Sequence, residues 1–414
     1  MILAAESHVD PARLGRRDEL TFRANLKNAR YGWLRLTPAY SVHLVAQLLD
    51  DHARPGSRVL DPFCGTGTTA LVCAERGLAC DTTDINPFLV WLARAKTRRY
   101  TTPEIDAFTA VARKIAGAMT RERATSWVPP IHKIERWWSA PSLEALGRGR
   151  AAILRARGGL PPHAADLLDV TFCRAMIESA SVSFGHQSMS FRKGDHAPSS
   201  VDEVAARFSR AASAIAVAAS SPIRRAPSAH LIDARDLSSL ARDSFDCVIT
   251  SPPYPNRMSY VRELRPYLYW LGYLKASRDA GELDWRAIGG TWGCATSNVA
   301  KWAAPARASA VPFDGFAAIT AAIAERSDVL ARYVAKYFHD ATLHVASLFD
   351  VMTRGGSAHY IVGNSKFYDV MLPVEAIYSA IFEAAGFRRT RITTIRKRTS
   401  KKELFEFVVS ASRP

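Results

Sequence analysis

The sequence predicts an α/β protein on a mainly parallel sheet, with a C-terminal antiparallel hairpin and a helical insertion. Three observations carry that prediction. Strand-like and helix-like segments alternate over residues 57–97, as a parallel sheet requires. Two apolar runs, 229–235 and 245–251, resume the pattern after a long gap, and Pro252-Pro253 stops the second by removing backbone donors. Two β-rich runs, RRTRITTIRK and ELFEFVVSA, close the chain around a basic turn at 399–402 and read as a hairpin on a sheet edge.

Taken in order, SRVLDPF (57–63) supplies the first strand. A helix begins within 66–69 and stops at Gly77, a residue suited to the left-handed backbone of a helix end. LACDTTD is the next strand, ending at Asp84, and Asn86-Pro87 opens another helix. Residues 100–228, rich in arginine and carrying Trp127, Trp137 and Trp138, do not fit the alternation. Neither do residues 271–325, with Gly289-Gly290, Trp285, Trp292 and Trp302, so both segments read as insertions. Apolar positions at helical spacing from 330 to 349 predict a helix that Gly355-Gly356 breaks before the strand SAHYIVGN. A last helix over 373–385 is capped by Gly386. The division that follows is 1–99, 100–228 and 229–414, with 271–325 as a second insertion.

Composition narrows the class. A chain of 414 residues with 48% apolar and 10% aromatic side chains buries enough surface to offset its ordering entropy, which excludes disorder. No window approaches the roughly 20 apolar residues of a membrane span, and the first 20 residues lack the apolar core of a signal peptide. A cytoplasmic protein without a membrane partner is expected. The cysteines at 64, 73, 80, 173, 247 and 294 have no zinc spacing, so reduced thiols and no metal are expected. The formal charge of +16 makes nucleic acid the leading partner.

Asp61-Pro62-Phe63-Cys64-Gly65-Thr66-Gly67-Thr68-Thr69 sits where a strand turns into a helix. Glycines 65 and 67 let a ligand approach the backbone, and the helix N-terminus offers unpaired amides to a carboxylate or phosphate. The turn has no P-loop lysine and no third glycine of a dinucleotide fingerprint, while Asp84 ends the next strand where ribose hydroxyls bind. An adenosine without a pyrophosphate fits best, and a purely structural turn is the alternative. Ser251-Pro252-Pro253-Tyr254 follows a buried strand. Ser251 and the Pro252 carbonyl can accept hydrogen bonds from an amino group, and Tyr254 can stack on a planar base. A rigid turn with a core tyrosine is the competing reading.

Together these segments resemble the AdoMet-dependent DNA amino-methyltransferases, which methylate N4 of cytosine or N6 of adenine. DPFCGTGTT is similar to that family's cofactor loop, and SPPY to its catalytic motif. ARYGWLRLTPAYSVHLVAQLL is similar to its remaining cofactor motif, and GNS at 363–365 with the hairpin to its last strands. The resemblance spans 23–98, 229–270 and 326–412. It implies a Rossmann-like class I methyltransferase fold and S-adenosyl-L-methionine as cofactor. Asp61, Phe63 to Thr69, Asp84 and Ile85 would line the cofactor site, with Thr37-Pro38 near its carboxylate and Asp233-Ala234 near its adenine.

The resemblance also implies double-stranded DNA as partner, base flipping, and Ser251, Pro252, Pro253 and Tyr254 as the catalytic set, with the serine pointing to the N4-cytosine branch. Restriction-modification, epigenetic marking and phage defence are the settings it leaves open. A homodimer, cognate restriction or defence proteins, and nucleoid association through DNA are compatible with it. No Pro-Cys dipeptide supplies a C5-cytosine nucleophile, and Cys64 reads as a packing residue. An N6-adenine DNA methyltransferase, an RNA amino-methyltransferase of the same fold and a silent DNA-binding module are the rivals.

Arg388, Arg389, Arg391, Arg396, Lys397, Arg398, Lys401 and Lys402 on the hairpin, and Arg192-Lys193 in the insertion, are phosphate-contact candidates or solvated faces. Trp137 and Trp138 read as core, and His186 as a structural residue or a base reader.

Overall fold

The alternation over 57–97 folds as expected: β1 (Arg58–Asp61), α2 (Thr68–Arg76), β2 (Ala79–Asp84) and α3 (Pro87–Thr97) follow α1 (Val42–His52). Gly77 ends α2 at φ +79°, and the Asn86 side chain caps α3 ahead of Pro87. In this computed structural model the described residues are 20–21, 25–26, 29–36, 39–121, 125–183, 190–191, 199–256, 259–290, 294–306, 310–398 and 403–414. Thr37, Pro38, His186, Arg192, Lys193, Trp292, Lys401 and Lys402 lie outside them.

The chain next builds four helices, α4 (Thr102–Met119), α5 (Ala140–Ala156), α6 (Pro162–Glu178) and α7 (Val201–Ala219), before β3 (Ser228–Leu231) and β4 (Phe245–Thr250). Then come α8 (Tyr260–Trp270), α9 (Ser277–Arg286), α10 (Cys294–Lys301), α11 (Phe316–Ala324) and the long α12 (Asp328–Val351). Strand β5 (Met352–Gly363), helix α13 (Val374–Ala384) and the hairpin β6 (Arg388–Lys397) and β7 (Phe405–Ser412) complete the order.

These seven strands form one sheet in the order β6-β7-β5-β4-β1-β2-β3. The five from β3 to β5 are parallel; β7 runs antiparallel to both β5 and β6. That is the mainly parallel sheet with an antiparallel C-terminal pair expected from the sequence.

Both faces are covered, as parallel strands require. Val59, Cys247, Ile249, Ile361 and Val408 pack with α1 and α2 on one side. Their neighbours Leu60, Val248, Tyr360, Val362 and Val409 pack with α12 and α13 on the other. The alternation is the two-residue period of a strand dividing its side chains between two cores.

One expectation is corrected. Helix α12 ends at Val351 and strand β5 starts at Met352, so Gly355-Gly356 lies inside the strand rather than before it. The register shifts between the pairs Phe245–Met352 and Cys247–Ser357, with Gly355 at φ +78°. The glycines make a bulge, which a glycine in a strand serves as well as it serves a helix stop.

The helices α4 to α7 share an apolar core with Phe88, Leu89 and Leu92 of α3 and with Leu264, Leu268 and Trp270 of α8. Trp138 and Trp137 are buried in it, in agreement with the core reading. Arg30 is fully buried and donates to the carbonyls of Lys96 and Arg98, at the end of α3, and of Ala218, Ala219 and Ser221, at the end of α7. Helix C-termini concentrate unpaired carbonyls and negative partial charge, so a five-donor cation suits both at once. Among the described residues no helix is long and apolar enough to cross a membrane, and no group of three or more His, Cys, Asp or Glu could hold a metal ion.

Candidate active site

In this sheet the chain turns from one side of β1 to the other, placing β2 and β4 on either flank. Open α/β sheets bind ligands outside the strand C-termini at such a switch point. The loop after β1, the end of β2 and the turn after β4 all lie at this edge.

The loop after β1 is held mostly by its own neighbourhood. Gly65 and Gly67 have φ of +50° and +75°, the region that disfavours any residue with a Cβ, and a Cβ on Gly67 would stand 3.3 Å from that of Ala93. The Cys64 amide donates to the Thr83 carbonyl at 2.8 Å, and Thr83 Oγ1 donates to the Pro62 carbonyl at 2.9 Å. Behind the loop, the buried Lys96 donates to the Thr66 carbonyl at 3.0 Å, and burial lowers its pKa to about 8. Cys64 is fully buried, the packing residue expected.

Asp84 accepts the Gly65 amide at 3.1 Å and the Asn86 amide at 2.9 Å. Burial pushes its pKa up to about 7, against the pull of those amides. Helix α2 starts at Gly67 with no side-chain cap, so its first amides are turned to whatever occupies the edge. These left-handed glycines, an uncapped helix start and a carboxylate at the end of β2 fit a nucleoside carrying a carboxylate.

Asp61 has a different task from lining the site. Fully buried, it accepts Thr250 Oγ1 at 2.6 Å, Tyr40 Oη at 3.0 Å and the Phe63 amide at 3.2 Å. Burial raises its pKa to about 6, and these hydrogen bonds restrain the rise. It bolts the end of β1 to the end of β4, one residue before Ser251.

The turn after β4 is held mostly from far away. Ser251 Oγ donates to the Ile361 carbonyl of β5 at 2.9 Å, and Tyr337 of α12 donates to the Pro253 carbonyl at 2.6 Å. The Tyr254 amide donates to Tyr260 Oη at 3.1 Å. Tyr254 Oη donates to Glu406 of β7 at 2.9 Å, and the Arg398 guanidinium lies 4.9 Å over its ring. Burial first, and Glu406 next, keep the Tyr254 phenol well above its usual pKa and therefore protonated.

Of the remaining expected residues, Asp233 is engaged by Arg235 at 2.6 Å, and although burial opposes it, this pairing holds the carboxylate below its usual pKa. Arg235 also reaches Asp340 at 3.1 Å. The Ala234 carbonyl accepts His344 Nδ1 at 2.6 Å, and the Phe63 ring meets the His344 ring edge-on at 4.7 Å. Burial lowers the His344 pKa to about 4, so the neutral ring donates to Ala234 and accepts from Tyr360. Through this histidine the loop at 233–234 is drawn toward Phe63.

Sequence reasoning passed over Tyr40, Lys96, Thr250, His344, Tyr260, Tyr337 and Glu406. A readable signal was a lone acid, Glu406, between Phe405 and Phe407 in an apolar strand. The hairpin cluster is also redrawn. Arg396 is paired with Glu406 at 2.7 Å and Arg398 is held by the Asn364 carbonyl at 2.8 Å, whereas Arg388, Arg389 and Arg391 are exposed.

The loop after β1 and the turn after β4 share one edge of the sheet, and a family match covers the first of them. Residues 29–94 match the DNA methylase family of N6 and N4 methyltransferases. The chain is similar to the type II methyltransferase M.AvaI of Nostoc sp. and to that of Anabaena variabilis, 35% identical over 69 residues, 16% of this chain and 14% of each relative. It is also similar to the type II methyltransferase M.MjaII of Methanocaldococcus jannaschii, 39% identical over 57 residues, 14% of this chain and 11% of that one. The match thus spans about one-seventh of the length of the first two relatives. Among solved structures, the rRNA methyltransferase aviRa from Streptomyces viridochromogenes aligns over 91% of this chain and 86% of its own, at 12% identity and a TM-score of 0.28. A likeness of that size carries no weight for function.

Proposed function

We propose that this protein transfers a methyl group from S-adenosyl-L-methionine to the exocyclic amine of a base flipped out of double-stranded DNA, with N4 of cytosine as the target. The observation that carries the reading is the direction of one hydrogen bond. Ser251 Oγ spends its hydrogen on the Ile361 carbonyl, so toward a substrate it is an acceptor, as is the Pro252 carbonyl beside it. A pair of acceptors suits an NH2 group.

Asp84 would hold the ribose hydroxyls, and the loop from Phe63 to Thr69 the remainder of the cofactor, with Ile85, Asp233 and Ala234 on the adenine side. When bound, the cofactor supplies an electrophilic sulfonium methyl. Accepting both amine hydrogens favours a tetrahedral nitrogen, which frees a lone pair otherwise delocalised into the base ring. Tyr254 stacks on the extruded base and offsets part of the few kcal/mol lost on unstacking. Serine in the first motif position resembles the N4-cytosine branch. The helices of 100–228 and 271–325 and the exposed arginines of β6 are the candidate DNA-reading surfaces.

Incubation with labelled cofactor and DNA, followed by digestion to nucleosides and mass spectrometry, tests the proposal. N4-methylcytosine is expected. N6-methyladenine overturns the base assignment alone, 5-methylcytosine overturns the mechanism, and transfer to total RNA but not DNA overturns the substrate. Ser251→Ala should lower kcat far more than it weakens binding of either substrate.

A further inference from the structure

We infer that the terminal hairpin positions Tyr254, through Glu406 at its phenol and Arg398 over its ring, so that one fixed ring face is presented to the flipped base. The inference rests on the function proposed above and assigns the hairpin a part in it. A tyrosine in a turn has two faces and a free ring torsion. Here the Arg398 guanidinium covers one face at 4.9 Å, which leaves the other for stacking. The phenol is tied to Glu406 at 2.9 Å, which sets the tilt of the ring.

Both partners are themselves fixed. Glu406 is 7% exposed and its second oxygen accepts Arg396 Nε at 2.7 Å. A carboxylate so buried costs several kcal/mol unless its partners compensate, and the strand around it, Phe405, Phe407, Val408 and Val409, is otherwise apolar. Arg398 donates to the Asn364 carbonyl at 2.8 Å, and its own amide to the Leu404 carbonyl at 2.8 Å. A Cβ at Gly363 would stand 2.5 Å from Arg398 Nη1, so glycine is what lets the guanidinium cross β5. Asn364 in turn accepts the Phe405 amide and donates to the Glu403 carbonyl, which binds the turn end of the hairpin to the end of β5. Glu406 and Arg398 are positioning residues, acting through Tyr254.

The test is a mutant cycle on the full chain, read as kcat and KM on DNA. Tyr254→Phe and Glu406→Leu each remove one end of the bond and should each lower kcat about tenfold, the loss of one charge-assisted hydrogen bond. Together they should cost no more than the worse one alone. Glu406→Gln keeps an acceptor for the phenol while dropping the charge that pairs with Arg396, and should recover most of the activity. Arg398→Gln should lower kcat while leaving the salt dependence of DNA binding unchanged.

Calorimetric affinity for the cofactor and the melting temperature establish that each variant is folded, and the near-isosteric glutamine variant keeps the test open should leucine not fold. Additive losses, or a glutamine variant as impaired as the leucine one, overturn the inference and leave the proposed function standing. A wild-type protein that transfers no methyl group to DNA overturns both.

Discussion

The loop after β1 and the turn after β4 leave adjacent strands, yet they are held in opposite ways. Most bonds that shape the first span short separations, 19 residues for Gly65 to Asp84, 21 for Pro62 to Thr83 and 30 for Thr66 to Lys96. Most of those that shape the second span 84, 110 and 152 residues, to Tyr337, Ile361 and Glu406, with the bond to Tyr260 local. A loop fixed by backbone geometry and near neighbours forms with its own β-α-β unit. A turn fixed by side chains from the far end of the chain takes its shape only when the whole sheet has closed. The difference predicts where substitutions act: on binding and stability at the first, on turnover at the second.

Asp61 joins the two regions, and its removal should have the largest effect. Asp61→Ala leaves the Thr250 hydroxyl and the Phe63 amide without this acceptor and Tyr40 with Thr69 alone, at a cost of about 2–5 kcal/mol for the buried groups left unsatisfied. Urea unfolding measures it. A loss under about 1 kcal/mol would mean that the regions are not coupled through this carboxylate.

Next comes the cofactor side alone. Asp84→Ala should weaken cofactor binding about tenfold or more, the worth of about 1.5–3 kcal/mol for hydrogen bonds to a carboxylate. The same residue sets a pH dependence. Its folded pKa of about 7 lies above the unfolded value of about 3.9, so between them the folded state binds more protons. Stability of the free protein should therefore rise as pH falls from about 7 toward about 4, and Asp61, raised to about 6, adds in the same direction. Cofactor affinity, which needs the carboxylate as an acceptor, should fall over the acid side of that range. Asp84→Asn should flatten Asp84's part of both profiles; an unchanged calorimetric pH profile would remove Asp84 from the ribose site.

The smallest effect belongs to the outer face of the hairpin. Arg391→Gln should weaken DNA binding a few-fold for all sequences alike and lower the log–log salt slope by about one, without moving kcat. A change in kcat there would erase the distinction between the exposed arginines and the inner pair that faces Tyr254.

The contrast also explains what the sequence made legible. The shape of the loop after β1 was readable because its glycines, its helix start and Asp84 fall within one short window. The strands were readable because their two-residue alternation is local. Which hairpin arginines face inward was not: register shifts between Arg388 and Arg391 and between Thr394 and Arg396 change the face on which later side chains emerge, and alternation cannot be followed through them. What Glu406 binds was not legible either, since its partners at 254 and 396 are brought to it by tertiary structure. The bulge at Gly355 was missed because glycine marks helix ends and strand irregularities alike.

Arg30 has a bearing on how such a protein can change over time. One guanidinium touches the chain where it leaves α3 and again where it returns from α7, so the exit and the re-entry of more than 100 intervening residues share a single doorway. Material can be lengthened, shortened or exchanged between those two points while the sheet keeps its register, because closing a longer excursion costs only about 0.6 kcal/mol per doubling. The helical block can thus drift in length and sequence, while the edge of the sheet stays where the arginine holds it.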